Sequence, residues 1–297
     1  MPDFNLMVAA LLVSALTAAL TLLATTWPLR LKIGWILGFG AGIYAGGGVL
    51  GMVPRWPIPE DRDRFLAILL PLTLAVEITA AAARRPRWLA PSLRLTLAGA
   101  AAPILLYNSV YLVDLSGPHS AEWPPALAAV ILLGLAAALA ALWELLALLQ
   151  SRAIDRPASA ALALTTLAAG VTVMLSGYYQ GGLMAIPLAG AGAGVTLASF
   201  PAPRRPVNTS RPPGVGVIGL FTVLVIGRFF GALPTDLALC LLLAPLLAWI
   251  PEGPGLRRLR PSLRGAMRLV LVAMPLILIV AKALARFNEA SAARFGP

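Results

Sequence analysis

The sequence predicts an all-α integral membrane protein, a polytopic bundle of about ten transmembrane helices filling residues 1–297 as a single domain. Three observations carry that expectation. Of the 297 residues 59% are hydrophobic and only 12% are charged, whereas a water-soluble domain carries about 25% charged residues. The apolar residues gather into runs near the roughly 20 residues needed to cross hydrocarbon, and these runs with short connections consume nearly the whole chain. The 23 basic residues lie mostly between the runs, where Lys and Arg set topology and meet lipid headgroups.

The runs fall at 4–26, 33–53, 64–83, 90–113, 125–149, 158–176, 182–200, 214–232, 235–250 and 265–285. The first, from Phe4 to Ala24, reads as a membrane helix rather than a cleaved leader. No basic residue precedes it, and it exceeds the usual apolar core of about 7–15 residues. The second sets Gly34, Gly38, Gly42 and Gly46 at four-residue steps, a face without side chains that lets a neighbouring helix approach closely. The third holds Glu77 on one face with Thr73, Ala80 and Ala81.

The fourth carries Tyr107, Tyr111 and Asp114 on one side at i, i+4 and i+7, with Asn108 alongside. The fifth holds Glu144 on a face of small residues, Ala137, Ala140, Ala141 and Ala147, which points it into a helix contact rather than lipid. The sixth ends in Ser176-Gly177-Tyr178-Tyr179-Gln180. The seventh repeats the glycine spacing with Gly190 and Gly194, and the eighth ends in Gly227-Arg228-Phe229-Phe230-Gly231. The ninth is short. The tenth carries Lys282 near its outer end, where a long side chain reaches toward headgroups.

Orientation follows from the loops. Arg30 and Lys32; Arg84, Arg85, Arg87 and Arg94; Arg152 and Arg156; Arg204, Arg205 and Arg211; and the arginines from Arg257 to Arg268 fall on one side, which the positive-inside rule makes cytoplasmic. Both termini are then external, and dense arginine loops in an alanine-rich chain suit a bacterial inner membrane. Halving the chain after the fifth run pairs the two glycine-rich helices. It also pairs Ala102-Pro103-Ile104-Leu105-Leu106-Tyr107 with Ala244-Pro245-Leu246-Leu247-Ala248-Trp249. An odd number of helices per half would make the two five-helix halves an inverted repeat.

Several function classes are disfavoured. With single residues Cys240 and His119, the chain alone supplies no disulfide, thiolate zinc site or bis-histidine haem, so no cofactor and no metal site is expected. Nucleic acid is not an expected partner; the net charge of +11 belongs to loops that touch membrane lipid. No catalytic residue is assigned. A Ser176–His119 pair lacks the glycine that precedes a nucleophile elbow, and Glu60-Asp61-Arg62-Asp63 reads as a solvated loop with Asp63 capping the next helix.

The candidate binding residues are ionisable or polar groups within or at the ends of spans, where burial is costly and function is the default hypothesis. Glu77 and Glu144 sit at similar depth near the cytoplasmic end, where two carboxylates could relay a proton or hold a cation; the alternative is a structural role, each acid hydrogen-bonded across helices or reaching toward the arginines at the cytoplasmic ends. Tyr107, Asn108, Tyr111 and Arg228 form an aromatic and singly basic surface at the outer face, suited to a phosphate or carboxylate. Three readings follow: a small-molecule or lipid transporter; a non-catalytic subunit whose glycine faces dock partner subunits; and a membrane enzyme for lipid-linked substrates using Asp114, His119, Glu122 and Asp236.

Overall fold

The computed structural model describes residues 3–26, 31, 33–55, 58, 60–82, 88–112, 123–152, 157–199, 214–253, 255–256 and 259–295. Among them all regular structure is helical, with no strand. The helices are α1 (Phe4–Thr26), α2 (Gly34–Val49), α3 (Asp61–Ala82), α4 (Leu89–Leu106), α5 (Pro125–Arg152), α6 (Pro157–Leu175), α7 (Tyr179–Ala198), α8 (Gly214–Phe229), α9 (Thr235–Glu252) and α10 (Pro261–Phe295). Seven of these, α1, α3, α4, α5, α7, α9 and α10, are long and apolar enough to cross a membrane.

Prolines break the regularity of several helices, each for the same reason. A proline offers no N–H to the carbonyl four residues back and its ring crowds that carbonyl. Ahead of Pro71, α3 widens into a π-helical stretch over Phe65–Leu69. In α7 the helix interrupts at Met184, next to Leu183, whose carbonyl would have been the partner of Pro187. After Leu243, α9 tightens into a 3₁₀ helix that contains Pro245 and Pro251.

Boundaries differ from expectation where turn chemistry intervenes. The fourth run was expected to stay helical through residue 113, but α4 stops at Leu106; Tyr107 is extended and Asn108 is left-handed at φ 56°, a conformation asparagine tolerates better than most residues. Tyr107 and Tyr111 therefore lie in turns and share no helix face. The second helix ends at Val49 rather than 53. The tenth is much longer than the run 265–285, covering 35 residues.

Two packing centres organise the bundle. In the first, α1 lies across α2 and α7. Its buried residues Ala10, Ser14, Ala18 and Leu22 recur every four positions and meet the glycine faces. A side chain at Gly42 would strike the Ser14 carbonyl and Ala18, one at Gly46 the Ala10 carbonyl, and one at Gly194 the Ala15 carbonyl. The Ser14 hydroxyl lies 2.8 Å from the Gly42 carbonyl oxygen and 2.6 Å from that of Pro187, so its one proton ties three helices together. The second centre is α8, whose residues Gly214–Gly227 are all buried among α3, α4, α5, α6, α7 and α9.

Candidate functional site

The N-terminal turn of α8 meets the end of α3 at Glu77. This side chain is fully buried, and its carboxylate accepts hydrogen bonds from Trp143 Nε1 at 3.0 Å and from Arg94 Nη2 at 3.3 Å. The other terminal nitrogen of Arg94 donates to Glu144 Oε1 at 3.3 Å. The guanidinium also lies 5.8 Å from the centre of the Trp143 ring, within reach of a cation–π attraction. Three successive helices, α3, α4 and α5, thus converge on one charged cluster, with α5 reaching α3 directly through Trp143 and by way of Arg94 of α4.

Gly214 makes the fourth side. A Cβ there would overlap both the Glu77 carboxylate and the Trp143 ring, so glycine is what allows the start of α8 to sit against the acid. Free backbone N–H groups and partial positive charge at a helix N-terminus favour an anion. Burying a carboxylate costs several kcal/mol even after relaxation. Here an arginine, an indole N–H and a helix terminus offset that cost together.

Glu77 and Glu144 are brought onto the same guanidinium, with unequal surroundings. Glu144 was expected to face a close helix contact, but its side chain is 49% exposed. The small-residue face of α5 on which it lies, with Ala137 and Ala141, points outward, while Leu139, Leu142, Trp143 and Leu146 point inward. Arg94, Trp143 and Gly214 were not singled out from sequence. The available signal was an opposite charge at matching depth, Arg94 across a short loop from Glu77.

The residues expected at the outer face divide into two groups. Tyr111 packs against Trp123 and Phe229, with ring centres 4.7 and 5.4 Å away. Arg228 lies 5.7 Å from the Phe229 ring and its Nε donates to Thr235 Oγ1 at 2.8 Å. Tyr107 is exposed and instead lies beneath Arg64, 5.7 Å from its ring centre; Asn108 beside it turns the chain. Arg64 also donates to the Leu105 carbonyl at 3.1 Å.

The segment Glu60-Asp61-Arg62-Asp63 is not a solvated loop, because Asp61 and Asp63 are buried in the first turn of α3. Tyr178 donates its phenol to the Asp61 carboxylate at 3.0 and 3.1 Å. Burial and the neighbouring Asp61 charge raise the Tyr178 pKa and keep the phenol a donor. Ser176 donates to the Thr172 carbonyl at 2.8 Å, and Asp236 faces Lys282 at 3.4 Å. Asp114, His119 and Glu122 lie outside the described residues. Among the described residues no group of three or more His, Cys, Asp or Glu is placed to hold a metal ion.

No protein-family model, curated protein or solved structure matches the chain. Its functional reading therefore rests on this geometry.

Proposed function

We propose that the chain is a small-molecule permease of a bacterial inner membrane, with ten spanning helices, both termini external, and Glu77 as a proton-responsive carboxylate. The observation that carries this reading is the placement of Glu77: fully buried, held by Arg94 and Trp143, and pressed on the end of α8. Protonating Glu77 would remove its charge from Arg94 and from the start of α8. Arg94 would keep Glu144 as its partner, so the cluster has a second state in which the guanidinium stays paired. An ionisable group with two such states, touching the most buried helix, is the kind of element that couples a proton to movement.

A further feature supports it. An inverted repeat of five plus five helices would pair α2 with α7 and α3 with α8 across the dyad, and the helices of each pair touch. The correspondence is partial: α6 packs most on α7, as α1 does on α2, but its other neighbours are α8, α9 and α10, whereas the other main neighbour of α1 is α7. The subunit reading drew on glycine faces open to partner helices, and here α1 covers those of α2 and α7.

The test is solute uptake into proteoliposomes loaded with a pH indicator, using a panel of small charged and uncharged solutes. Wild-type protein is expected to move protons with solute, and Glu77→Gln to lose at least about tenfold of that coupled flux, on the order of the 1.4 kcal/mol that separates decades. A monodisperse Glu77→Gln protein with wild-type coupling would remove Glu77 from the mechanism.

A further inference from the structure

A narrow cleft opens between α2, α5, α6, α7 and α8, toward the same end of the bundle as Glu77 but on the other flank of α8. Gly214 faces Glu77, whereas Gly216, two residues and about 200° further around the helix, faces the cleft near Phe39 and Leu162. The space open to a water-sized sphere is about 30 Å³. A water needs about 10–15 Å³ of such space, so the cleft has room for one or two waters and for no larger solute.

Its polar groups offer hydrogen bonding of both kinds. The amide oxygen of Gln150 is buried and accepts no hydrogen bond among the described residues. The indole N–H of Trp35 and the hydroxyl of Thr166 belong to residues 8% and 3% exposed, and neither makes a hydrogen bond among the described residues. The contrast within α6 is local. Thr165 donates to the Ala161 carbonyl at 2.8 Å, the usual outlet for a threonine inside a helix, while Thr166 beside it does not. On α7, Thr196 donates to the Gly192 carbonyl and Ser199 to the Thr196 carbonyl, each at 2.7 Å, so the two hydroxyl oxygens that line the cleft keep lone pairs to offer.

We propose that this cleft is a hydration site, in which one or two ordered waters donate to the Gln150 amide oxygen and accept from the Trp35 N–H and the Thr166 hydroxyl, tying α2, α5 and α6 together. A buried water makes about three hydrogen bonds, given as well as taken, which matches a lining that holds both an unmet acceptor and unmet donors. An ammonium ion only donates, so it would face the Trp35 and Thr166 donors with nothing to give them. A chloride ion only accepts, and it would leave Gln150 unmet. Neither ion would find an opposite charge, because no charged side chain lines the cleft. The first turn of α8 then has an ionic cluster on one side and a hydrated cleft on the other. The inference does not rest on the permease reading, since a chain that moves no solute would hold the same waters.

The test is X-ray radiolysis of the full chain in detergent, read residue by residue by mass spectrometry. Hydroxyl radicals formed from a bound water oxidise the side chains beside it. Trp35 and Phe39, both in the lining and each 8% exposed, should therefore oxidise several-fold faster than Trp143 and Phe221, which are buried away from it. Gln150→Leu removes the acceptor and fills the space. It should abolish that excess, leave oxidation of the exposed Trp88 unchanged, and lower the melting midpoint because a water-mediated tie is lost. A dry cleft would shift the midpoint upward, since leucine would replace an unmet acceptor with packed hydrocarbon. Thr166→Val gives the same readings where Gln150→Leu disturbs folding. Oxidation of Trp35 and Phe39 no faster than that of Trp143 and Phe221, an excess that survives Gln150→Leu, a raised midpoint, or an excess that ammonium chloride suppresses while Trp88 is unchanged would each overturn the proposal.

Discussion

The α1–α2–α7 contact and the α3–α4–α5–α8 contact solve the same problem with opposite chemistry. In the first, backbones approach so closely that glycine is required at Gly42, Gly46 and Gly194, and the one polar link is the Ser14 hydroxyl. In the second, Gly214 lets α8 close on its neighbours, but what it meets are the side chains of Glu77 and Trp143, tied together with Arg94. The glycine contact offers no titratable group and resists change short of repacking. The charged contact depends on one carboxylate, and a single proton alters it. A bundle that must hold one part still while another responds would divide its interfaces in this way.

The comparison can be broken most severely at the glycine contact. Gly42→Leu places a branched side chain on the Ser14 carbonyl and Ala18, and the protein is expected to lose its monodisperse peak in size-exclusion chromatography. A wild-type elution profile and melting midpoint for this variant would show that the close approach is dispensable. Arg94→Ala comes next. It strands a buried carboxylate, and unfolding in detergent should reveal about 3–5 kcal/mol of destabilisation. Adding Glu77→Gln should recover part of it; no recovery would mean that Arg94 acts through packing rather than charge.

Smaller effects sharpen the contrast. Ser14→Ala removes a single neutral hydrogen-bond donor and should cost about 1 kcal/mol, measured by the same unfolding experiment; a loss as large as that of Arg94→Ala would make Ser14 the main tie of the first contact. Glu144→Gln is expected to change stability by less than about 1 kcal/mol, since its partner geometry is half exposed. A larger loss there would place Glu144 on an equal footing with Glu77.

Sequence made the helical runs legible because apolar length is a strong signal, and it singled out Glu77 because an acid within such a run is rare. It missed what depends on distances between helices. The arginines at the cytoplasmic helix ends are the alternative partners for both acids, yet nothing in the neighbours of Arg94 says that it, among them, turns toward α3. Glu144 and Trp143 are adjacent, so about 100° of helix rotation separates them; small residues around Glu144 suggested the inward face, yet Leu139, Leu142, Trp143 and Leu146 occupy it. The end of α4 at Leu106 was hidden for a local reason, since a left-handed Asn108 leaves hydropathy unchanged.

The length of α10 has a practical consequence. Its 35 residues extend about 52 Å at 1.5 Å per residue, well beyond the roughly 30 Å of hydrocarbon. Lys282 reaches Asp236 at the first turn of α9, so the turns from Ala283 to Phe295 carry the helix about 20 Å past that level. A small protein with few features outside the bilayer is hard to orient in single-particle images. A folded fiducial fused in helical register with this stretch would inherit the rigidity of α10 and give every particle a recognisable direction.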